Sequence, residues 1–343
     1  MKQVKWGIIG LGNMALKFAE AFKNVKNAKL FSISSKSDEK IEYFKKNFGI
    51  DNENCFQNYE DLLKSENTDI VYIALPNSFH YKWIIECIEN KKNILVEKPA
   101  TINLSEIEEI QALLFKKNLF FSEAFMYLYH PQILKVINLL NKNSIGKIIS
   151  MESFFGVDIL TKKNFLGFKK IKKIDKENRL FKKDLGGGVI LDLGCYPVSI
   201  STVIAKLLPN FDYKKIKIHK KKLDIFETGV DIDSYAELDF GNDFKSNIGA
   251  SFKKNLGLKT KIKGTSGELI IENTWNTAPS FLYLNSKNEG FKKIQIDSYE
   301  NVYSHEIETL SKCILENKRE PDFPGFTIND TLENMKILDK WLN

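Results

Sequence analysis

The sequence predicts an α/β chain in two domains: a parallel-sheet domain over residues 1–124, then an α+β domain over 125–343 with a large, mostly antiparallel open sheet. Three observations predict it. The chain has 343 residues, more than one ordinary hydrophobic core organises. Its first 125 residues alternate short apolar runs with amphipathic stretches at helical spacing. Beyond them the rhythm changes to strand-like runs separated by turn residues.

The apolar runs of the first part are Val4–Ile9, Lys29–Ser34, Ile70–Leu75, Asn93–Val96 and Leu119–Ser122. Between them lie Met14–Lys23, Glu39–Asn47, Phe79–Asn90 and Ser105–Lys117. In Phe79–Asn90, Trp83, Ile84, Cys87 and Ile88 share one helical face, with Lys82, Glu86 and Glu89 opposite. Val71–Leu75 and Ile94–Val96 are apolar without alternation, as strands covered on both faces should be. The second part opens with a helix candidate, Gln132–Asn141, and a strand-like Lys147–Val157. A basic, irregular stretch then runs to about Lys183 and meets the turn Gly186-Gly187-Gly188. A helix follows from about Gly194 to Leu207. Strands include Asp233–Phe240, Ser246–Phe252, Thr260–Lys263 and Glu268–Ile271, and two helices, Ser304–Asn317 and Ile328–Leu342, come last.

Composition excludes several classes. Apolar residues make up 43% of the chain, normal for a globular protein and too high for a disordered one. No run of 18 apolar residues predicts a membrane span, and Met1–Lys5 leads directly into a strand without a signal-peptide pattern. Cys55, Cys87, Cys195 and Cys313 make no C-x-x-C pair; this predicts reduced thiols and a cytoplasmic protein. His80, His130, His219 and His305 are equally scattered, so no metal site is expected. The formal charge is +7, with local runs at Lys169–Lys173 and Lys220–Lys222. No nucleic-acid motif accompanies them, and solvated lysine-rich faces explain them.

Gly10-Leu11-Gly12-Asn13-Met14-Ala15 reads G-x-G-x-x-A directly after a strand and at the opening of a helix. In that setting the first glycine permits a tight turn, and the second lets backbone approach a pyrophosphate. Ala15 allows close helix–strand packing, and the helix N-terminus favours phosphate. The motif predicts a dinucleotide site of the Rossmann type. An acidic residue closing the second strand would bind the ribose hydroxyl of NAD; here the strand ends Ser34-Ser35-Lys36-Ser37, and no carboxylate appears before Asp38. Ser35, Lys36 and Ser37 suit a 2′-phosphate, so NADP is expected over NAD.

Two further segments narrow the reading: Pro76-Asn77-Ser78-Phe79-His80 after the strand ending at Leu75, and Glu97-Lys98-Pro99 after the strand ending at Val96. With the glycine motif they resemble the glucose–fructose oxidoreductase / inositol dehydrogenase family, written Gfo/Idh/MocA. Gly186–Pro197 (G-G-G-V-I-L-D-L-G-C-Y-P) and Glu123–Gln132 (E-A-F-M-Y-L-Y-H-P-Q) are similar to the branch that holds NADP-dependent D-xylose and trans-dihydrodiol dehydrogenases. The resemblance implies an oxidoreductase acting on a sugar, polyol or diol, with Lys98, Tyr196 and Asp192 as catalytic residues. It places Leu75, Pro76, Asn77, His80, Glu97 and Lys98 near the cofactor, together with Gly10, Leu11, Gly12, Asn13, Met14, Ser35 and Lys36. Pro99 restrains the backbone of Lys98, whose ammonium would stabilise charge developing on a hydroxyl. Asp192 and Tyr196 are spaced i, i+4, one face of a helix if the turn is helical. Tyr196 would carry the substrate proton, its phenol made more acidic by Lys98. His130, before Pro131, reads as structural. Many relatives carry Arg where this chain has Leu128, which leaves the substrate open.

The second domain's sheet should have more face than its few helices cover, since Tyr235, Glu237 and Asp239 alternate with Ala236, Leu238 and Phe240; the resemblance implies that such a face is shared between subunits, so a homodimer or tetramer is expected. Two other readings stand beside the dehydrogenase. One is a nucleotide-binding sensor without turnover; the other is a sugar–sugar oxidoreductase with tightly held NADP. The Lys98, Asp192 and Tyr196 set argues against the sensor, which has no chemical need for all three.

Overall fold

A computed structural model of the chain describes residues 2–163, 168–299 and 301–343. The first elements are β1 (Val4–Ile9), α1 (Asn13–Ala21), β2 (Ala28–Ser34), α2 (Asp38–Phe48), β3 (Cys55–Phe56), α3 (Tyr59–Lys64), β4 (Ile70–Ile73), α4 (His80–Glu89), β5 (Asn93–Glu97), α5 (Leu104–Lys117) and β6 (Phe121–Ala124). They are followed by α6 (Pro131–Asn141), β7 (Ile148–Gly156), β8 (Thr161–Lys163), β9 (Lys169–Ile171), α7 (Cys195–Ala205), β10 (Lys217–Ile225), β11 (Asp231–Asp239), β12 (Lys245–Ser251), β13 (Thr260–Gly264), β14 (Gly267–Ile271), β15 (Phe281–Ser286) and β16 (Gly290–Gln295). Helices α8 (Tyr303–Leu315) and α9 (Ile328–Leu342) come last.

The chain forms two compact units. The first comprises residues 1–130 and 298–332, and the second 131–297 and 333–343. This differs from the division at 124/125 expected from the change of rhythm, because α8 returns to the first unit. The reason is packing that local sequence does not announce: the Trp6 indole donates to Ser311 at 2.9 Å, Ser304 donates to the carbonyl of Ala21 at 2.9 Å, and Ile307 and Leu310 join the core of Trp6, Phe18 and Tyr72.

In the first unit six parallel strands run in the order β3-β2-β1-β4-β5-β6. The order reverses between β1 and β4, the switch point at whose carboxyl edge open α/β sheets bind ligands. The non-alternating runs behave as their pattern requires: Ile70–Ile73 and Ile94–Val96 are wholly buried. Local signals set the helices. Ser37 caps α2 by accepting from the Lys40 N–H, Asp38 and Glu39 occupy its first turn, and Gly49 ends it in the left-handed region. Asn103 caps α5 by accepting from the Glu106 N–H, while Glu106 reaches back to the N–H of Ile102.

The second unit is built on an eight-stranded sheet, β10-β11-β12-β7-β13-β14-β15-β16, antiparallel except for the β12–β7 pair. Alternation in β11 assigns its faces: Ala236 and Leu238 are buried, while Glu237 binds Lys220 and Lys245 from the other face, where Lys245 also meets Asp239. Every residue of α7 is buried, and the helix contacts β7 and β12. The helical run Lys183–Ala205 is long and apolar enough to cross a membrane by length and composition, yet it is packed inside this unit as a core helix. The basic stretch contains the β8–β9 hairpin and short 3₁₀ turns; its residues 164–167 lie outside those described. Winding towards α7 begins earlier than the expected Gly194, with a π-helical turn over Ile190–Gly194. The cause is distant in sequence: the buried Asp231 carboxylate accepts the Ile190 N–H at 2.8 Å and satisfies a helix-start donor.

Candidate functional site

At the switch point of the first unit, β1 runs into a turn that only glycine fits. Gly10 has φ +88°, and a Cβ there would lie 2.6 Å from the carbonyl oxygen of Ala74. Gly12, by contrast, faces open space and is the N-cap of α1. Among the described residues no side chain caps that helix end, and its first turn carries no acidic residue. Its dipole and first N–H groups therefore suit an anion, and the donor set fits the pyrophosphate of a dinucleotide. Asn13 and Met14 are exposed beside it, while Leu11 is buried in the core beneath.

Beyond β2 the chain passes through Ser35, Lys36 and Ser37. Ser35 is buried, and its hydroxyl accepts the Ser37 N–H at 3.2 Å, fixing the turn. Lys36 is exposed and makes no ion pair among the described residues. Asp38, the first carboxylate, lies inside α2 and is bound by Gln57 at 2.7 Å. The turn thus offers a cation and hydroxyls where an NAD-specific site would place an acid, and it fits a 2′-phosphate.

The loops after β4 and β5 are tied together. His80 is fully buried at the start of α4, with Nδ1 2.9 Å from the carbonyl oxygen of Pro99 and Nε2 2.8 Å from that of Leu75. The ring lies between the two loops, and whichever nitrogen carries the proton donates to the carbonyl it faces. Pro76 is exposed; Asn77 is buried in the single 3₁₀ turn that leads into α4. Glu97 is buried and turned inward: the Tyr72 hydroxyl donates to its Oε1, and the Lys98 N–H to Oε2 at 3.3 Å. This carboxylate braces the backbone that presents Lys98, which is half-buried past the end of β5.

A second carboxyl, Glu123 on β6, accepts the Ala100 N–H at 3.0 Å; burial pushes it up to about 7, against the pull of that N–H and of Lys98. No motif in the sequence assigns Glu123 a role. An acid inside the apolar run F-F-S-E-A-F was the available signal. Leu128 is buried in the turn that follows, and His130 packs edge-on against His305 with centroids 5.2 Å apart. Burial, then His305, pushes His130 down to about 4, in keeping with a structural residue.

Glu306 on α8 is completely buried, and among the described residues neither carboxyl oxygen meets a hydrogen-bond partner. Burial, then the nearby Glu97, pushes its carboxyl well above the usual carboxylate range and so favours the protonated form. The unfolded chain releases that proton above about pH 4.3. Stability from this group is therefore complete below that value and declines as pH rises, by up to about 1.4 kcal/mol per pH unit. Glu306→Gln is expected to melt higher than the parent at pH 8, with the gap closing towards pH 4. A gap that stays constant with pH would show that Glu306 is not held protonated.

In the second unit Tyr196 occupies the first turn of α7 and is 6% exposed. Its ring lies edge-on to Phe155 at 5.3 Å and tilted to Trp275 at 5.6 Å; Phe155 and Trp275 stack on one another at 5.7 Å. The Trp275 indole donates to the carbonyl of Phe154 at 3.1 Å, which anchors this aromatic wall to β7. Asp192 lies in the π turn, where a spacing of four still falls close to one turn. Its Oδ1 faces the guanidinium of Arg179 at 3.4 Å. Arg179, Phe155 and Trp275 were absent from the sequence-based set. Trp275 is one of four tryptophans and Arg179 one of two arginines, and that rarity is the signal each carries in the sequence. Lys98 belongs to the first unit, and Asp192 and Tyr196 to the second.

Comparison with known proteins places both units. Residues 4–125 match a model described as "Oxidoreductase family, NAD-binding Rossmann fold", and residues 133–270 one described as "GFO/IDH/MocA C-terminal domain". The two models belong to one family and together take in most of the chain. A trans-1,2-dihydrobenzene-1,2-diol dehydrogenase of Xenopus tropicalis is 27% identical over 98% of this chain and 97% of its own length. An NADP-dependent D-xylose 1-dehydrogenase of Hypocrea jecorina is 27% identical over 57% of this chain and 51% of its own. Among solved structures, a 3-ketoreductase from Actinomadura kijaniata in complex with NADP and TDP-benzene shares the fold with a TM-score of 0.81, at 20% identity over 98% of this chain and 96% of its own.

Proposed function

Because the chain belongs to the Gfo/Idh/MocA oxidoreductase family, we propose that it is an NADP-dependent dehydrogenase working on a carbinol carbon of a sugar, polyol or diol. One observation carries the reading. Lys98 leaves the carboxyl end of β5, two strands from the Gly10–Gly12 turn, on the ligand-binding edge of a sheet whose order reverses between β1 and β4. NADP, when bound, supplies or takes up the hydride. The protein's part is binding and proton management. Gly10, Gly12 and the α1 N-terminus hold the pyrophosphate, and Ser35 and Lys36 the 2′-phosphate. Tyr196 accepts the hydroxyl proton of the substrate during oxidation and returns it during reduction. Lys98 supplies the positive charge that favours the phenolate, and Asp192 orients the reacting groups.

The substrates named for the relatives, a dihydrodiol and xylose, define where the search starts. Pentoses, hexoses, inositols, aminosugars and dihydrodiols are screened with each cofactor by absorbance of the reduced nicotinamide. NADP-linked turnover of at least one is the expected result; nucleotide binding without turnover on any would favour a sensor. The protein is further read as cytoplasmic and without a nucleic-acid or membrane partner. It pairs with a second copy through the sheet face that bears Tyr235, Glu237 and Asp239, giving a homodimer or a dimer of dimers. Sedimentation at micromolar concentration is expected to find the dimer or tetramer, and a monomer there overturns this assignment.

A further inference from the structure

We propose that Arg179 is a positioning residue for this reaction: its guanidinium fixes the carboxylate of Asp192, and the Gly186-Gly187-Gly188 turn holds the loop that delivers it. The inference rests on the reading that Asp192 acts in turnover. It starts from a compositional exception. Of 51 basic residues only Arg179 and Arg319 are arginine, in a chain that uses lysine almost everywhere else. Arg179 sits where the difference counts. Its Nη1 and Nη2 lie 3.4 and 3.5 Å from one oxygen, Oδ1 of Asp192. A guanidinium presents both N–H groups in a rigid plane and stays charged; an ammonium on a flexible stem fixes no such orientation.

The backbone explains how the side chain is placed. A Cβ on Gly187 would lie 2.7–2.8 Å from the carbonyl oxygens of Arg179, Leu180 and Lys182. Those carbonyls close around the glycine, and the loop is tied down by Gly187 N–H to Lys182 and Gly188 N–H to Leu180, both at 3.0 Å. Gly188 has φ +109°, and a Cβ there would lie 2.2 Å from Oδ1 of Asp231, the carboxylate that starts the helix. One set of contacts therefore fixes both the π turn bearing Asp192 and the loop bearing Arg179. Neighbouring cations have different partners: Lys182 pairs with Glu177 and Lys176 with Glu227, all exposed. The side chain of Asp192 is 13% exposed and that of Arg179 46%, so the pair adds little to folding and its effect is orientation.

The test compares Arg179→Met, Arg179→Lys, Asp192→Asn and the double variant Arg179→Met/Asp192→Asn, using the best substrate of the screen. Arg179→Met is expected to keep its melting temperature and its NADP affinity within twofold, while kcat falls about 10- to 100-fold, the cost of misplacing a reacting group. Arg179→Lys recovers part of the loss. Added guanidinium ion at millimolar concentration restores Arg179→Met but not Asp192→Asn. The double variant matches Asp192→Asn, because both act through one carboxylate. Lys182→Met, which removes a nearby charge, leaves turnover unchanged. If Asp192→Asn is inactive while Arg179→Met turns over normally, the proposal fails alone. It also fails if Arg179→Met costs its full factor on top of Asp192→Asn, or if Lys182→Met loses as much as Arg179→Met. If Asp192→Asn is fully active, the reading of Asp192 fails first and takes the proposal with it.

Discussion

Tyr196→Phe is expected to lower kcat by roughly 100- to 10,000-fold, the contribution of general acid–base assistance, and to leave NADP affinity nearly unchanged. The substitution keeps the ring, so the edge-on contact with Phe155 and the tilted contact with Trp275 survive, and the melting temperature should hold. Only the hydroxyl is lost. The proposed role of Lys98, a cation that favours the phenolate, predicts that Lys98→Met also removes most activity. On the proposed reading, in which both residues serve one proton, the losses should not multiply, and the double variant should resemble the worse single one. Near-normal turnover by Tyr196→Phe would make the tyrosine structural. Lys98 would then be the proton carrier to test. His80 is the weaker substitute, since both of its ring nitrogens already face backbone carbonyls.

Lys36→Asp should reverse or erase the cofactor preference. On the proposed reading, a 2′-phosphate gains a charge-assisted contact at Lys36 in the parent and meets no carboxylate at the end of β2. Such contacts contribute about 1.5–3 kcal/mol, or roughly 10- to 100-fold in affinity. The aspartate would repel the phosphate and could accept from the ribose hydroxyl of NAD. Titration of each nucleotide against both proteins reads this directly. Tighter binding of NAD than NADP by the parent would sink the assignment. Lys36 is exposed on the turn, so loss of folding is not expected to confuse the measurement.

The first unit was readable because its signals are local. Apolar strands without alternation, helices with polar caps and a glycine turn directly after β1 each announce themselves within a dozen residues. The short elements were not readable: β3 is a two-residue edge strand and α3 a six-residue helix, too brief for periodicity to show. The strand expected at Leu119–Ser122 forms at Phe121–Ala124, since its register is set by pairing Ile94 with Phe121. Glu123 looks unlike a buried strand residue until the Ala100 N–H is seen to meet it. In the second unit the early start of winding before α7 depends on Asp231, 41 residues beyond Ile190. The residues around Tyr196 come from β7 and from the segment after β14, so no window of sequence contains them. The candidate site was legible where a motif names its own residues, and illegible where the fold recruits a partner from a distance.

The return of α8 to the first unit bears on how the protein is made. Translation completes β6 long before Tyr303 leaves the ribosome. Until then Trp6 lacks its partner Ser311, and the face that Ile307 and Leu310 will cover stays open to solvent. The nascent nucleotide-binding unit must carry this apolar surface through synthesis of the whole sheet unit, in a state prone to aggregation. The nucleotide-binding unit is thus no detachable module: a gene cut after β6 would encode a sheet without its last covering helix.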